Sequence, residues 1–373
     1  YFNLMKLYLT EVFNATESGD YSRADKILSD IKSVQRQSDA SGLLPSISKV
    51  NREIAYNDSK IFINLKNTYA LLSIVLLILA FIDNLSVKKS KVLSIILNIF
   101  IVLLGLAFAY HTYGMGLRWY LSSHAPWSNG YEALILVAWG ALLAGFSFAR
   151  FSKITLAATA LLAFFTLMTA SHSSYDPQLT NLQPVLKSYW LIIHVATLTI
   201  SYGFLGLAFV LGLMNLGLFS IKNTTNYRRI DLMIKELTHI NEINITVGLF
   251  LATVGTFLGG IWANESWGRY WGWDAKETWA LVIVLSYTII LHFRLVPKMK
   301  SFFIFNVGAV LCFGTVLMTF FGVNYYLSKG LHSYASGETP IFPIWAWITI
   351  LAIVTLMIFA GLRDNYIKKK THH

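Results

Sequence analysis

The sequence predicts an all-α fold, a polytopic helical membrane protein with about nine transmembrane helices and a short external helical segment. Of its 373 residues, 55% are hydrophobic and only 13% are charged, whereas about a quarter of the residues of a typical soluble domain are charged. The apolar residues are gathered in blocks of about 18 to 25 residues, the length of helix that crosses the hydrocarbon core of a bilayer. Basic residues are concentrated in alternate loops between these blocks.

The apolar blocks predict where the spans lie. They cover roughly residues 68–86, 92–113, 131–149, 154–170, 189–220, 243–262, 275–293, 301–322 and 343–361. Each block is bounded by polar or basic residues, so consecutive spans are joined by loops that alternate between the two sides of the membrane.

The distribution of basic residues predicts the orientation. One set of alternate loops holds sixteen: Lys88, Lys89, Lys91, Arg150, Lys153, Lys222, Arg228, Arg229, Lys235, Arg294, Lys298, Lys300, Arg363, Lys368, Lys369 and Lys370. The other set of short loops holds five: Arg118, Lys187, Arg269, Lys276 and Lys329. Because basic loops stay in the cytoplasm, we expect a cytoplasmic C-terminus and an external N-terminal segment. The net charge of +11 then reflects membrane topology, and no nucleic-acid partner is expected.

Residues 1–66 are polar, unlike the rest of the chain. Their apolar residues recur at helical spacing, with a break at Leu44-Pro45, which predicts a pair or more of amphipathic helices outside the membrane. We interpret them as the tail of a larger external part, followed by a transmembrane domain over residues 67–373. The sequence opens at Tyr1 without an initiator methionine or a signal-like stretch, so we expect it to continue a longer protein.

One external loop, the tryptophan-rich loop 262–279, is unusually aromatic. The segment ESWGRYWGWDAKETWAL, residues 265–281, holds four tryptophans with Gly268 and Gly272 among them. Glycine removes side-chain bulk where a flat partner approaches the backbone. The alternative is membrane anchoring, because tryptophan and tyrosine are enriched at membrane interfaces, but four tryptophans within thirteen positions exceed what anchoring requires.

Three histidines are candidate functional residues. His194 lies just inside the outer end of a span and His332 in an external loop, one on each side of the tryptophan-rich loop in sequence. His292 lies near the inner end of a span, where an ionisable residue is costly and is often functional. Each also has a simpler interpretation as a satisfied interfacial residue, with the charge of Arg294 beside His292 reaching the cytoplasm.

The remaining residues narrow the chemistry to heme handling. The sequence has no HExxH or CxxC motif, and its single cysteine, Cys312, lies in an apolar block. Heme iron accepts two axial histidines, and aromatic rings pack against flat π-systems. Two imidazoles beside an aromatic wall therefore favour heme at the outer membrane surface, with Arg269, Lys276 and Lys329 as candidate partners of its propionates.

Four motifs, in order along the chain, resemble those of a known family. They are RWYLSSHAPWSNGYE, WLIIHV, WGRYWGWDAKETWAL and GLHSY. Together they resemble the CcsA-type cytochrome c synthase of the system II pathway over about residues 65–365. Residues 1–66 resemble the external region that joins a ResB-type (CcsB) half to CcsA in fused bacterial synthases. Ala275 stands where the family often has proline, with little expected consequence because proline at the first helical position only pre-sets φ.

The resemblance implies a holocytochrome c synthase, or heme lyase, in the bacterial inner membrane. Such a protein carries heme b to the periplasmic face and joins the heme vinyl groups by thioether bonds to the two cysteines of CxxCH. The implied partners are an apocytochrome c with that motif, a ResB/CcsB-like N-terminal half, fused or separate, and the lipid membrane.

The resemblance also implies roles for individual residues. His194 and His332 match the two external axial ligands of the heme iron and form the expected catalytic pair. His292 matches the ligand of a heme site within the membrane, whose partner ligand lies in the ResB-type half. The residues expected to hold the heme are Trp262, Trp267, Gly268, Arg269, Trp271, Trp273 and Asp274.

Three other functions fit parts of the pattern. A CcmC-type protein, which delivers or exports heme, shares the tryptophan-rich loop but forms no thioether bond. A quinone-linked oxidoreductase subunit usually holds heme by histidines inside spans, where only His292 lies deep enough. A transporter without a cofactor would show no Soret absorption band.

Overall fold

The computed structural model describes residues 2–39, 42, 44–86, 88, 90–172, 175–180, 182, 187–327 and 342–371. Over these residues the regular secondary structure is helical, so the predicted all-α class is confirmed. The helices are α1 (Phe2–Ser18), α2 (Ser22–Gln37), α3 (Ile47–Ser59), α4 (Ile61–Leu85), α5 (Lys91–Ser122), α6 (Gly130–Ser147), α7 (Lys153–Ala170), α8 (Tyr189–Ile221), α9 (Tyr227–Trp267), α10 (Ala275–His292), α11 (Phe302–Leu317), α12 (Val323–Tyr325) and α13 (Ile344–Thr371). A π-helical turn, Met318–Gly322, joins α11 to α12.

The chain forms two compact units, Tyr1–Ser59 and Lys60–His373. In the first unit, α1 packs against α2. The predicted break at Leu44-Pro45 falls between α2 and α3, where the Arg36 guanidinium donates to the Pro45 carbonyl at 3.5 Å. The assignment of residues 1–66 to the tail of a larger external part stays a prediction.

In the described part of the chain, nine helices are long and apolar enough to cross a membrane. They include α4 to α11 and α13, and they confirm the predicted number of about nine. The chain is therefore a multi-pass membrane protein.

One helix is much longer than its predicted span. The sequence predicts a span over 243–262 after a polar loop, but α9 runs without interruption over Tyr227–Trp267, 41 residues. A polar residue of the added part bonds to a neighbouring helix, since Asn241 donates from Nδ2 to the Ala208 carbonyl of α8 at 3.2 Å. Such a long-range partner supports the helix where hydropathy alone predicts a loop.

The helix connections of the second unit lie at two ends, because consecutive helices alternate in direction. We call one the aromatic end, which comprises the described residues 123–129, 175–180 and 268–274. There α5, α7, α9 and α12 finish, and α6, α8, α10 and α13 begin. The opposite end, which holds most of the basic loop residues, is the basic end.

An ion cluster joins three segments at the basic end. Lys222, between α8 and α9, places Nζ 2.6 Å from Oδ1 of Asp231 and 3.1 Å from Oδ1 of Asp364 on α13. Burial opposes the charge of Lys222, but the two carboxylates outweigh it and raise the pKa of Lys222 above its ordinary value. The cluster therefore attaches α13 to the α8–α9 connection.

The central helix is α8, which packs against α6, α7, α9, α11 and α13. A buried polar cluster sets its position relative to two of them. Asn215 of α8 donates from Nδ2 to Oδ1 of Asn306 on α11 at 2.9 Å, and Asn306 donates to Oγ1 of Thr238 on α9 at 2.8 Å. These bonds hold the helix that carries His194.

Candidate functional site

His194 occupies the second turn of α8, near the aromatic end, and its ring lies against α9. Its Nδ1 atom is 2.6 Å from the carbonyl oxygen of Gly255. A Cβ added to Gly259 would lie 2.6 Å from Cε1 of the His194 ring, so only glycine leaves room for the imidazole there. Because a carbonyl only accepts, Nδ1 carries the proton and the lone pair is on Nε2.

The aromatic loop itself, residues 267–274, begins where α9 ends. Gly268 caps the helix with φ of +70°, a left-handed conformation that glycine adopts readily. Below it, Trp262 is 1% exposed, and its ring meets that of Trp267 edge to face with centroids 4.7 Å apart. The first two tryptophans therefore form a packed base, with Gly268 turning the chain.

Two further tryptophans form the open part of the loop. The rings of Trp271 and Trp273 are perpendicular, with centroids 5.7 Å apart. Trp273 is 70% exposed and has a positive φ of 56°, which is a genuine outlier for a bulky side chain. The Nε1 atom of Trp271 is shielded from solvent and has no hydrogen-bond partner among the residues that the structure describes.

The loop ends in a capping box at the start of α10. Oδ1 of Asp274 accepts from the Glu277 amide at 2.9 Å, and Oε2 of Glu277 accepts from the amides of Gly272 at 2.6 Å and Asp274 at 3.3 Å. Ala275 is the first residue of the helix, the position expected for the family's proline. Glu277 was not predicted, although an aspartate followed three residues later by glutamate before an apolar run signals this cap.

Arg269 folds back over the loop. Its guanidinium lies against the Cα of Gly272, in the space that a Cβ would fill. The glycine at this position thus accommodates an arginine of the same loop, whereas the sequence suggested that it exposes backbone to a flat partner. Lys276, in the first turn of α10, is partly buried beside Asp274.

Two consecutive glycines of α9 connect His194 to the aromatic loop. Gly259 supports the His194 ring, and a Cβ on Gly260 would lie 3.1 Å from the Tyr270 carbonyl oxygen. The imidazole and the loop therefore pack on the same turn of α9.

Of the other two predicted histidines, His292 lies at the basic end and His332 lies outside the described residues. His332, like Lys329, falls outside the described residues, between α12 and α13, which both meet the aromatic end. His292 is the last residue of α10, at the basic end, with an exposed side chain whose Nδ1 lies 2.7 Å from the Thr288 carbonyl oxygen. His194 and His292 thus lie near opposite ends of the bundle.

A buried ion pair at the aromatic end was not assigned a role from the sequence. Nε of Arg118 and Oε1 of Glu132 are 2.7 Å apart, and each side chain is 1% exposed. In the sequence, Arg118 counted only as one of the basic residues of the less basic set of loops. The sequence shows only that Arg118 and Glu132, fourteen positions apart, each border an apolar block. The carbonyl groups that Arg118 binds lie far away in sequence.

Comparison with known proteins identifies the family. The family model described as "Cytochrome C assembly protein" matches residues 127–332, which is more than half of the chain and includes His194 and the aromatic loop. Protein NrfI of Wolinella succinogenes is 43% identical over 300 residues, which are 79% of this chain and 32% of NrfI.

Proteins named cytochrome c biogenesis protein CcsA are also similar. That of Guillardia theta is 31% identical over 298 residues, 73% of this chain and 96% of the relative. That of Chlamydomonas reinhardtii is 36% identical over 229 residues, 58% of this chain and 63% of the relative. This chain thus spans about a third of NrfI and almost the whole of the Guillardia theta protein.

The family match covers the helices that carry the His194 seat and the aromatic loop. This chain belongs to the cytochrome c assembly protein family and is a CcsA-type cytochrome c biogenesis protein.

Proposed function

We propose that this protein is a holocytochrome c synthase that binds heme b at the aromatic end and joins it to the CxxCH cysteines of an apocytochrome c. The observation that carries the proposal is the seat of His194 on Gly259. It brings an imidazole to the turn of α9 on which the aromatic loop packs. An axial ligand and an aromatic surface are the two features that heme binding needs.

The described residues fit heme in three respects. Proton placement on Nδ1 of His194 leaves Nε2 as the ligating nitrogen, and a carbonyl partner such as Gly255 is typical of metal-binding histidines. The Trp271 indole N–H would donate to a propionate, which matters because a buried donor without a partner costs about 1–3 kcal/mol. Arg269 supplies a cation on the same loop.

The chain's contribution to the reaction is positioning. When bound, heme supplies two vinyl groups, and addition of a cysteine S–H across each C=C bond gives a thioether with no oxidant or reductant consumed. The aromatic loop holds the ring plane in one orientation, so that attack by a docked thiol becomes effectively intramolecular. The thiolate is the nucleophilic form, and the exposed Trp273 side chain marks the open edge of the loop, from which it would approach.

The two proposed histidine ligands would have a second use. As a pair, His194 and His332 would hold the iron and exclude other ligands from it before the apocytochrome arrives. The histidine of the CxxCH segment would then replace one of them, which would weaken the hold of this chain on its product and promote release.

We assign the aromatic end to the periplasmic face of the bacterial inner membrane and the C-terminus to the cytoplasm. The support is the concentration of lysine and arginine at the basic end, where basic loops remain on the cytoplasmic side. Heme then crosses from the basic end to the aromatic end.

We further assign His292 to a second heme site at the basic end. Its Nδ1 lies 2.7 Å from the Thr288 carbonyl of its own helix, so Nε2 is the nitrogen that would bind iron, and its side chain is exposed. The second ligand would come from a ResB/CcsB-like half. This chain spans 32% of NrfI, which leaves length for such a half in that relative.

The direct test mixes the heme-loaded protein with an apocytochrome peptide that contains CxxCH, with and without a co-expressed ResB-like half. We expect the peptide to gain the full mass of heme and to keep it after denaturation. A peptide with serine for both cysteines is the control and should gain no covalent heme.

The same experiment separates the proposal from CcmC-type delivery. A delivery protein would pass heme to the peptide without a thioether, so heme would be lost on denaturation from both peptides. A purified protein without any Soret band would contradict both functions.

A further inference from the structure

The Arg118–Glu132 pair sits in a fully enclosed site between α5 and α6. In addition to the 2.7 Å contact between Nε and Oε1, the guanidinium carbon lies 5.2 Å from the Tyr131 ring centroid. A buried ion pair is retained without loss of stability only when its other donors and acceptors also find partners. The partners of the ion pair therefore identify the segments that it connects.

Four further hydrogen bonds of the pair reach two connections at the aromatic end. Nη1 of Arg118 donates to the Pro177 carbonyl at 2.7 Å, and Nη2 donates to the Gln178 carbonyl at 2.8 Å. Oε2 of Glu132 accepts from both the amide and the hydroxyl of Ser128, each at 2.8 Å. One ion pair therefore fixes the α5–α6 connection and the α7–α8 connection to each other.

A histidine strengthens the same attachment. The two ring nitrogens of His124 lie 3.1 Å from the Ala125 carbonyl oxygen and 3.0 Å from the Thr180 carbonyl oxygen. Residues 177–180 are thus held at three carbonyl groups by side chains from the end of α5 and the residues that follow it.

Residues of the two connections form hydrogen bonds with the helices that carry the proposed heme site. Nε1 of Trp127 donates to the Ile192 carbonyl at 3.0 Å, two residues before His194. The Ser188 hydroxyl donates to Oε2 of Glu265 at 2.6 Å, which ties the start of α8 to the last turn of α9 just before Trp267.

The α7–α8 connection also touches the helix that precedes the His332 segment. Tyr175 lies beside Tyr325, the last residue of α12, and burial, together with the neighbouring Tyr325 hydroxyl, raises the pKa of Tyr175. Its ring also fills the space above Gly130, where a Cβ would lie 2.7 Å from Cε1. The connection that Arg118 holds is therefore packed against both α6 and α12.

We propose that Arg118 and Glu132 are positioning residues for the heme site, which they serve by holding the start of α8, and hence His194, against the aromatic loop. This inference rests on the proposed function of His194. Arginine is required because its planar fork reaches Glu132, Pro177 and Gln178 together, whereas a lysine ammonium provides one point charge. Because both side chains are 1% exposed, we assign neither of them a contact with heme.

The test compares heme affinity and the optical spectrum of ferric heme in R118K, E132Q and W127F. We expect R118K to lower heme affinity on the order of tenfold, as loss of an outer partner of a metal ligand does, and to replace part of the low-spin spectrum by a high-spin one. E132Q should act in the same direction. Added imidazole should restore the low-spin spectrum in both, because it supplies the ligand that is out of position.

The matched control is Lys222→Met at the basic end. It also breaks a buried ion pair, since Lys222 and Asp364 are each 4% exposed and 3.1 Å apart, and it should lower stability without altering the heme spectrum. If R118K and K222M lose thermal stability equally and both keep the wild-type spectrum, Arg118 is only structural and the inference is wrong.

If R118K does not accumulate in the membrane, the milder variant W127F provides the test of the positioning role. It removes the donor to the Ile192 carbonyl but retains a ring to pack edge to face on Trp119, whose centroid lies 5.3 Å away. A shifted spectrum that imidazole restores supports the inference, and an unchanged spectrum contradicts it. Absence of heme from the wild-type protein would instead contradict the proposed function.

Discussion

The imidazole ring of His194 on α8 lies directly against Gly259 of α9, with room for a hydrogen but not for a methyl group. The Gly255 carbonyl, one turn earlier on α9, accepts from Nδ1 at 2.6 Å. One helix thus sets both the position and the tautomer of the histidine, and its next two turns lead into the aromatic loop.

The first prediction concerns that seat. Gly259→Ala places a methyl group 2.6 Å from the ring, so the ring must move away from α9. We expect heme affinity to fall on the order of tenfold, measured by absorbance titration of the purified protein. The control is Gly314→Ala in α11, where an added Cβ meets nothing within 4 Å. Equal affinity in the two variants would show that the seat of His194 does not govern heme binding.

The strained tryptophan gives the second prediction. Trp273→Gly relieves a left-handed conformation that costs about 1–2 kcal/mol in a residue with a Cβ, so the variant should melt no lower than the wild type. Its heme affinity should nevertheless fall, because an exposed indole of the open part of the loop is lost. Thermal unfolding and heme titration measure the two effects.

Tyr270→Gly is the matched control for the strained tryptophan. Tyr270 is 64% exposed in the same loop but has no positive φ, so its replacement should lower the melting temperature through the added freedom of the unfolded chain. If W273G is the less stable of the two, the conformation of Trp273 stores no strain.

The capping box gives the third prediction. Asp274→Ala and Glu277→Ala each remove one half of a reciprocal pair, and loss of an N-cap costs about 0.5–2 kcal/mol. Because the two side chains act as a unit, the double variant should lose less stability than the sum of the single losses. Chemical denaturation of the three variants measures this coupling, and additive losses would mean that the two halves act independently.

The fourth prediction is the pH dependence of the basic end. The pKa of Lys222 is raised in the folded protein, because the carboxylates of Asp231 and Asp364 outweigh the effect of burial. Its stabilising effect is therefore complete below the ordinary pKa of lysine, about 10.4, and is lost only as pH rises through the higher folded value. Thermal unfolding should show this alkaline loss in the wild type and not in Lys222→Met. A matching loss in both proteins would assign it to other groups.

Much of the membrane scaffold was predictable from the sequence, because length and hydropathy decide whether a helix crosses a bilayer. The extension of α9 to Tyr227 was not, since it is supported by bonds such as that from Asn241 to the Ala208 carbonyl. Local sequence does not reveal a partner 33 residues away.

In the candidate site, too, local features were predictable from the sequence and long-range contacts were not. The roles of Gly268 as a helix cap and of Asp274 with Glu277 follow from spacing, because capping is local. The partners of Arg118, the carbonyls of Pro177 and Gln178, belong to a connection without any motif. Sequence therefore indicated candidate residues for a heme site, whose role stays a prediction, but not which residues hold them in place.

The most direct test of the central claim is the electron paramagnetic resonance spectrum of the ferric, heme-loaded His194→Gly protein, before and after addition of imidazole. We predict that the low-spin signal of iron with two imidazole ligands gives way to a high-spin signal and returns when imidazole is added, while His239→Gly at the basic end leaves the spectrum unchanged. A low-spin signal that persists in His194→Gly without imidazole would show that His194 does not bind the heme iron.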